Sequence, residues 1–510
     1  MVRPHATLGR SPVARAVPKS LTGIQGLDEI TGGGLPKGRP TLVCGGPGCG
    51  KTILAMEFLI NGARKYNEPG VFMSFEETPE DLTLNLAALG FDPRALVSRK
   101  KLALDYVRVD AREIQETGEY DLDALFIRLG HAIDRIGAKR VVLDSIETIF
   151  SGLSQTRILR IELRRLFTWL RTKGVTAIVT GERGDGTMTR HGLEEYITDC
   201  VILLDHRVVE QNATRRLRVV KYRGSSHGAN ETPFFIDETG ISVLPITSLG
   251  LVHRVSMSRV PTGIADLDVM IGGKGYFRGS SILVSGSAGT GKTSVAGHFV
   301  DAACARGESA LYFAFEESAD QIDRNMRSIG VGLARWLKNG RLQLHAERPT
   351  TSGLEGHLSL MQRLIAEQRP RVVVVDPISN LITVGTTVEV RAMLARLIDF
   401  MKMQRVTALF TSLTNDLGHP EDNDNSISSF MDTWIVVRNV AINGERTRTL
   451  NVLKSRGMPH SNQVREFTFS KHGLGLLDVV RHQGRVLIGS ERTAHAYDRS
   501  ATIRRQRSQA

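Results

Sequence analysis

The chain has 510 residues, 41% of them hydrophobic and 24% charged, enough ordinary globular material for two domains that each bury a core. No stretch approaches the ~18 consecutive apolar residues of a membrane span, and Cys44, Cys49, Cys200 and Cys304 form no C-x-x-C pair that would suggest a disulfide framework or a zinc module. The formal charge of +12 is concentrated in the tails, where Arg3, Arg10, Arg15 and Lys19 lie at one end and seven arginines against Glu491 and Asp498 lie beyond residue 480, so the bulk of the chain is not a basic nucleic-acid surface.

Residues 1–19 read as a basic tail without the apolar stretch of a secretory signal. A first domain is expected over 20–247. It opens with Thr22-Gly23-Ile24, Leu27-Asp28 and Gly32-Gly33. The apolar run Pro40 to Val43 predicts a strand, and Leu54 to Ala63 has the three- and four-residue apolar spacing of a helix. Between them stands Gly45-Gly46-Pro47-Gly48-Cys49-Gly50-Lys51-Thr52, which fits the phosphate-binding loop G-x-x-x-x-G-K-[ST]. Glycines at Gly46, Gly48 and Gly50 let backbone N–H groups turn toward phosphate oxygens, and the helix start adds its positive end. Lys51 is expected on the β- and γ-phosphates of ATP and Thr52 on Mg²⁺. A reduced, cytoplasmic setting suits two cysteines in or beside this loop.

Further along, Phe75-Glu76-Glu77 closes a short apolar run, and Val141-Val142-Leu143-Asp144-Ser145 ends a valine-rich one. Asp144 lies 93 residues after Lys51, a setting that makes it a Walker B carboxylate holding Mg²⁺ through water rather than a simple strand-end cap. Glu76 and Glu77 could merely start a helix, but a carboxylate pair placed over the γ-phosphate suits a general base. Ile158 to Lys173 reads as a helix with exposed arginines, and Lys221-Tyr222-Arg223-Gly224 as a strand with two cations on one face.

All of this recurs after a join near Pro245 to Pro261, in a second domain expected over 248–480. Thr262-Gly263-Ile264, Leu267-Asp268 and Gly272-Gly273 repeat the opening; a strand from Ser281 to Val284 and a helix from Val295 to Ala305 flank Gly286-Ser287-Ala288-Gly289-Thr290-Gly291-Lys292-Thr293. Ser287, Gly289, Thr290 and Gly291 line this loop for ATP, Lys292 takes the phosphate role and Thr293 the Mg²⁺ role. Phe315-Glu316-Glu317, Val373-Val374-Val375-Asp376-Pro377, a helix from Val388 to Met403 and Lys454-Ser455-Arg456-Gly457 follow in order, at offsets of 240 to 241 early and 232 to 233 later. Strands alternating with helices predict an α/β fold. Tandem phosphate-loop domains are expected, each a mostly parallel sheet covered on both faces, with ligands at the carboxyl ends of the strands. Residues 481–510 form a second basic tail.

These residues together resemble the KaiC family of double-domain RecA-like ATPases, over about 20–480. The resemblance implies a two-tiered homohexamer with ATP and Mg²⁺ at subunit interfaces. Lys221, Arg223, Lys454 and Arg456 would reach a neighbour's γ-phosphate; the first tier would be mainly an ATPase and the second also a serine/threonine autokinase, a timing or signalling switch. Ser428-Ser429 stands where the family carries its phosphorylated hydroxyl pair, whereas the first copy has Glu195-Tyr196, so Ser428 and Ser429 are the expected acceptors and Glu316 the base. Asn423 replaces an upstream threonine of clock members and Asp424 is kept. The tail does not match a KaiA-binding segment, so a KaiA-driven oscillator is not expected, an hourglass-like timer or stress-signalling relative fits better, and a KaiB-like partner stays open. The competing class is a RecA- or DnaB-type DNA motor. Against it, Gly181 to Asp199 carries Glu182, Asp185, Glu194, Glu195 and Asp199 with only Arg183 and Arg190, and Thr411 to Phe430 has no Lys or Arg, which disfavours DNA.

Overall fold

The computed structural model describes residues 17–87, 90–108, 122–150, 156–184, 197–209, 212–244, 256–414, 427–442, 445–482, 485–487, 489, 490 and 492. The chain forms two compact units, Met1–Ser248 and Leu249–Ala510. Each contains a nine-stranded sheet, and the two sheets have the same strand order.

In the first unit the order from one edge is Leu102–Tyr106, Gly70–Ser74, Arg140–Asp144, Thr176–Glu182, Pro40–Gly45 and Cys200–Val209, all parallel. Asn212–Tyr222, Thr232–Asp237 and Gly240–Val243 then extend it antiparallel. The second unit repeats this as Leu342–Ala346, Ala310–Ala314, Val372–Asp376, Thr407–Leu413, Ser281–Gly286 and Thr433–Ile442, followed by Glu445–Ser455, Arg465–Ser470 and Gly473–Leu476. The parallel part is the expected α/β sheet. The strand carrying Lys221 or Lys454 belongs to its antiparallel flank, joined by long pairings to the strand beside the loop strand.

Valine-rich strands form here because both faces are buried. Successive side chains point to opposite faces, so Val43, Phe72 and Val142 pack with Phe58 and Leu59 on one side. Val71, Met73, Val141 and Leu143 pack with Leu163 and Leu166 on the other. Each such side chain taken fully out of water contributes about 1.5–3 kcal/mol. All four sequence-predicted helices are present, as Lys51–Lys65, Thr156–Thr172, Lys292–Ala305 and Thr387–Met403.

The repeated Thr-Gly-Ile motif is a structural device. Asp28 Oδ1 accepts from Thr22 N at 2.8 Å and Thr22 Oγ1 at 2.7 Å, and Asp28 Oδ2 accepts from Gly23 N at 2.9 Å. Thr262 N donates to Asp268 Oδ1 at 2.9 Å in the second unit. A Cβ on Gly263 would stand 2.3 Å from the His298 carbonyl oxygen, so the chain can cross the loop helix only at a glycine. The motif clamps the start of each unit onto that helix.

Candidate active sites

Each phosphate-binding loop connects the central strand to a helix whose first N–H groups are left for a ligand. Gly50 and Gly291 precede these helices in left-handed conformation (φ 103° and 101°), and neither supplies a side-chain cap. A Cβ on Gly45 would lie 2.4 Å from the Leu204 carbonyl oxygen and one on Gly286 2.2 Å from that of Val437. Those glycines allow the loop strand to approach its neighbour. Gly46, Gly48 and Gly289 differ, because an added Cβ there would meet nothing within 4 Å. Their backbone faces open space where an anion fits. Cys49 is fully buried under the first loop, and burial pushes its thiol up despite the nearby Lys51.

The loop lysines curl over their own loops. Lys51 Nζ donates to the carbonyls of Gly45 at 2.9 Å and Gly46 at 3.0 Å; Lys292 Nζ donates to Gly286 at 2.8 Å and Ser287 at 2.7 Å. In the second unit a cavity of about 270 Å³ opens beside Lys292 and Thr293, with Glu316, Glu317 and Asp376 on its wall. Ammonium, the loop backbone, a threonine hydroxyl and carboxylates line one site. Its cationic part suits a polyphosphate and its hard oxygens suit Mg²⁺. The residues fit the pair.

Asp144 and Asp376 each end a valine-rich strand, as expected, and in each unit that strand is next but one to the loop strand. A threonine of the intervening strand hydrogen-bonds each, Thr180 to Asp144 and Thr411 to Asp376. Thr52 Oγ1 donates to Asp144 Oδ2 at 2.8 Å, placing the loop hydroxyl and the strand-end carboxylate side by side. Burial raises the Asp144 carboxyl while the hydrogen bonds from Thr180 and Thr52 oppose it. In the second unit the corresponding oxygen, Asp376 Oδ2, accepts from the buried Tyr312 hydroxyl. Desolvation and the Asp376 charge hold that phenol well above its ordinary range.

The glutamate pairs stand at the ends of Gly70–Ser74 and Ala310–Ala314, just before helices Pro79–Ala87 and Ala319–Ser328. Both pairs therefore lie just before a helix start, and Glu316 and Glu317 also line the cavity beside Lys292. Their restraint differs between units. Glu76 Oε1 accepts from Ser145 at 2.5 Å and from Thr148 at 2.9 Å. Pro377 occupies the position of Ser145, and among the described residues Glu316 makes no side-chain hydrogen bond. Glu317 accepts from Asn325 at 3.1 Å; burial first, then the Asp376 and Glu316 charges, raise its carboxyl.

Lys454 and Arg456 gather around the serine pair rather than the loop of their own unit. Lys454 Nζ donates to the Ser428 carbonyl at 2.6 Å, and Arg456 donates to the Ser429 carbonyl at 2.8 Å. Burial and the Arg456 charge push the Lys454 ammonium down. Ser428 is 5% exposed, while Ser429 is exposed. In the first unit Arg223 N donates to the Asp199 carbonyl at 2.8 Å, and the Asp199 carboxylate pairs with Arg39 at 3.6 Å, with Arg171 and with Arg223 at 4.0 Å. Lys221 pairs across from Val201 on the same flank. Glu195, Tyr196, Asn423, Asp424 and most of both acidic stretches lie outside the described residues.

Sequence reasoning missed Thr180, Thr411, Ser145 and Tyr312. The threonines carried a signal, since Ile178-Val179-Thr180 and Leu409-Phe410-Thr411 stand at the same positions of equivalent strands. Tyr312 carried none, because an aromatic inside a buried strand reads as core.

Comparison with known proteins gives a consistent result. The sequence model of the KaiC ATPase domain matches residues 20–248 and again 260–479. The circadian clock protein KaiC2 of Synechocystis sp. is 55% identical over 490 residues, 96% of this chain and 86% of that protein. The circadian clock protein KaiC3 of the same organism is 40% identical, covering 93% of this chain and 94% of its own length. The circadian clock oscillator protein KaiC of Synechococcus elongatus is 37% identical over 93% of this chain and 92% of its own. No helix among the described residues is long and apolar enough to cross a membrane.

Proposed function

The chain belongs to the KaiC ATPase family, and from that footing we propose that it is a ring-forming, Mg²⁺- and ATP-dependent autokinase. In this reading its second unit phosphorylates Ser428 or Ser429 of the adjoining subunit, and the phosphate state serves as a timing or signalling switch. Lys51 and Lys292 bind the phosphates. Thr52, Asp144, Thr293 and Asp376 hold the Mg²⁺, which neutralises phosphate charge when bound. The first unit hydrolyses ATP, with Glu76 or Glu77 taking a proton from the attacking water.

The observation that carries the autokinase reading is the grip of Lys454 and Arg456 on the Ser428 and Ser429 carbonyls. It groups two hydroxyls with two cations at the end of the sheet away from their own phosphate loop. An acceptor beside cations but remote from its own ATP calls for ATP from another subunit, which is the supporting argument for a ring; a homohexamer is the form we propose. In the transfer, a serine oxygen forms a bond to the γ-phosphorus, the bond to the ADP oxygen breaks, and the hydroxyl proton passes to Glu316. Glu316 suits this role because its carboxylate carries no side-chain hydrogen bond among the described residues, whereas Glu76 is already engaged by Ser145. Lys454 and Arg456 would stabilise the charge that develops in transfer. A KaiB-like partner and a cytoplasmic location belong to the same proposal; DNA and a KaiA-like partner do not.

The test is phosphopeptide mass spectrometry after incubation of the full chain with Mg²⁺-ATP, beside Glu316→Gln. Phosphate on Ser428 or Ser429 that vanishes in the variant supports the autokinase. ATP consumption with neither serine modified refutes it and leaves an ATPase ring.

A further inference from the structure

The two copies differ at the carboxylate that each would turn toward Mg²⁺. In both, one oxygen of the aspartate is fixed by a threonine of the neighbouring strand, Thr180 or Thr411. The other oxygen has a different partner in each copy. Asp144 Oδ2 accepts from Thr52, the loop threonine itself, at 2.8 Å. Asp376 Oδ2 accepts instead from Tyr312, and among the described residues no hydrogen bond joins Thr293 to Asp376.

The side chain facing that oxygen differs between the copies. Tyr312 and Phe72 are the third residues of equivalent strands, and each pairs with the equivalent valine of the aspartate strand, Val374 or Val142. Both rings are fully buried. Phe72 ends in carbon and can offer Asp144 nothing. Tyr312 adds one oxygen, and that oxygen is bonded to Asp376.

We propose that Tyr312 is a positioning residue that weakens the second site's hold on Mg²⁺ relative to the first. A phenol hydrogen bond draws on the charge of the carboxylate oxygen that the Thr52 arrangement keeps turned to the loop. It also takes the oxygen that, in the first unit, accepts from the loop threonine. Partners that orient a metal ligand from behind typically support its affinity by about 10–100-fold; Tyr312 instead occupies the oxygen that would face the metal, so an effect of that size is expected with the opposite sign. The two units therefore fill with Mg²⁺-nucleotide at different free Mg²⁺ concentrations, the first before the second. This rests on the reading of the second loop as a Mg²⁺-ATP site.

The experiment measures retention of a fluorescent ATP analogue against free Mg²⁺, in full-length chains whose other loop is silenced. In a Lys51→Ala chain, Tyr312→Phe is expected to lower the Mg²⁺ concentration for half-maximal retention roughly tenfold. In a Lys292→Ala chain, Phe72→Tyr is expected to raise it. The first change imports the ring already packed at the equivalent site, so folding is preserved, and the second variant reads the same effect if it is not. Unchanged half-saturation in both, or a rise with Tyr312→Phe, overturns the proposal while leaving the nucleotide site standing. Absence of nucleotide at every Mg²⁺ level in the Lys51→Ala chain removes the nucleotide site and the proposal together.

Discussion

Lys292 and Lys454 serve opposite ends of one sheet, the first from the start of a helix and the second from a strand. Lys292 reaches the Gly286 carbonyl, where the strand Ser281–Gly286 finishes. Lys454 reaches the Ser428 carbonyl, in the turn whose Asp432 accepts from Ser281 N at that strand's start. The intervening strand spans about 17 Å at ~3.3 Å per residue. One chain therefore cannot close both lysines on a single γ-phosphate.

That separation predicts complementation between subunits. Lys292→Ala chains keep the acceptor turn and its cations, and Lys454→Ala chains keep the loop. Each alone should lose phosphorylation, Lys454→Ala by roughly 10³-fold or more if the cation acts as a finger across the interface. Mixed rings should regain a fraction, with label on the Lys292→Ala chain when the two chains are distinguished by mass. Label confined to the Lys454→Ala chain would mean transfer within one chain.

Between the two serines, exposure selects Ser429. Ser428 is buried within the turn and Ser429 stands outside it. Ser429→Ala is expected to remove most early phosphate, and Ser428→Ala to leave it in place, as read by a time course of phosphopeptides. Equal losses would show that the turn opens before transfer.

The first unit carries a pH-dependent weakness at Glu57. Its carboxylate accepts from Ile241 N at 2.8 Å, and burial raises it from 4.5 to about 7. The folded state thus holds a proton that the unfolded state releases, so the stability from this group is full below about 4.5 and is lost as pH rises through about 7. Glu57→Gln keeps a hydrogen-bonding oxygen without the charge. Its stability relative to the parent should rise across that window, measured by denaturant unfolding at several pH values. A constant difference would dismiss Glu57 as the titrating group.

Asp28 should matter for folding and not for phosphoryl transfer. It holds three donors of the Thr22–Gly23 turn, and leaving buried donors unpaired costs about 1–3 kcal/mol each. Asp28→Ala is expected to lower the thermal midpoint of the first unit while serine phosphorylation in the second persists. Loss of phosphorylation at temperatures where both units remain folded would give the motif a role beyond structure.

How far the sequence reached depended on whether a residue's chemistry is local. The loops, Asp144 and Asp376 were legible because strand, glycines and helix lie within a few residues of each other, and because everything occurred twice. The helices at Thr156–Thr172 and Thr387–Met403 were legible from apolar spacing. Contacts that join distant segments were not. Nothing around Tyr312 announces a partner 64 residues away. Ser145 reads as a strand end until the fold brings Glu76 to it. Lys454 lies on a strand as expected, whereas Arg456 follows the strand end at Ser455, and their shared hold on the Ser428–Ser429 turn depends on the antiparallel flank of the sheet.

Cys49 gives the first phosphate loop an unexpected chemical quietness. A sulfur among glycines and a lysine would ordinarily invite oxidants and alkylating reagents, because a nearby cation favours thiolate. Here the sulfur lies wholly inside, and burial outweighs the lysine. Cys44, Cys200 and Cys304 are buried as well. Peroxide and maleimides therefore find no purchase on the native protein, and thiol labelling becomes a clock for the opening of each unit rather than a probe of its nucleotide chemistry.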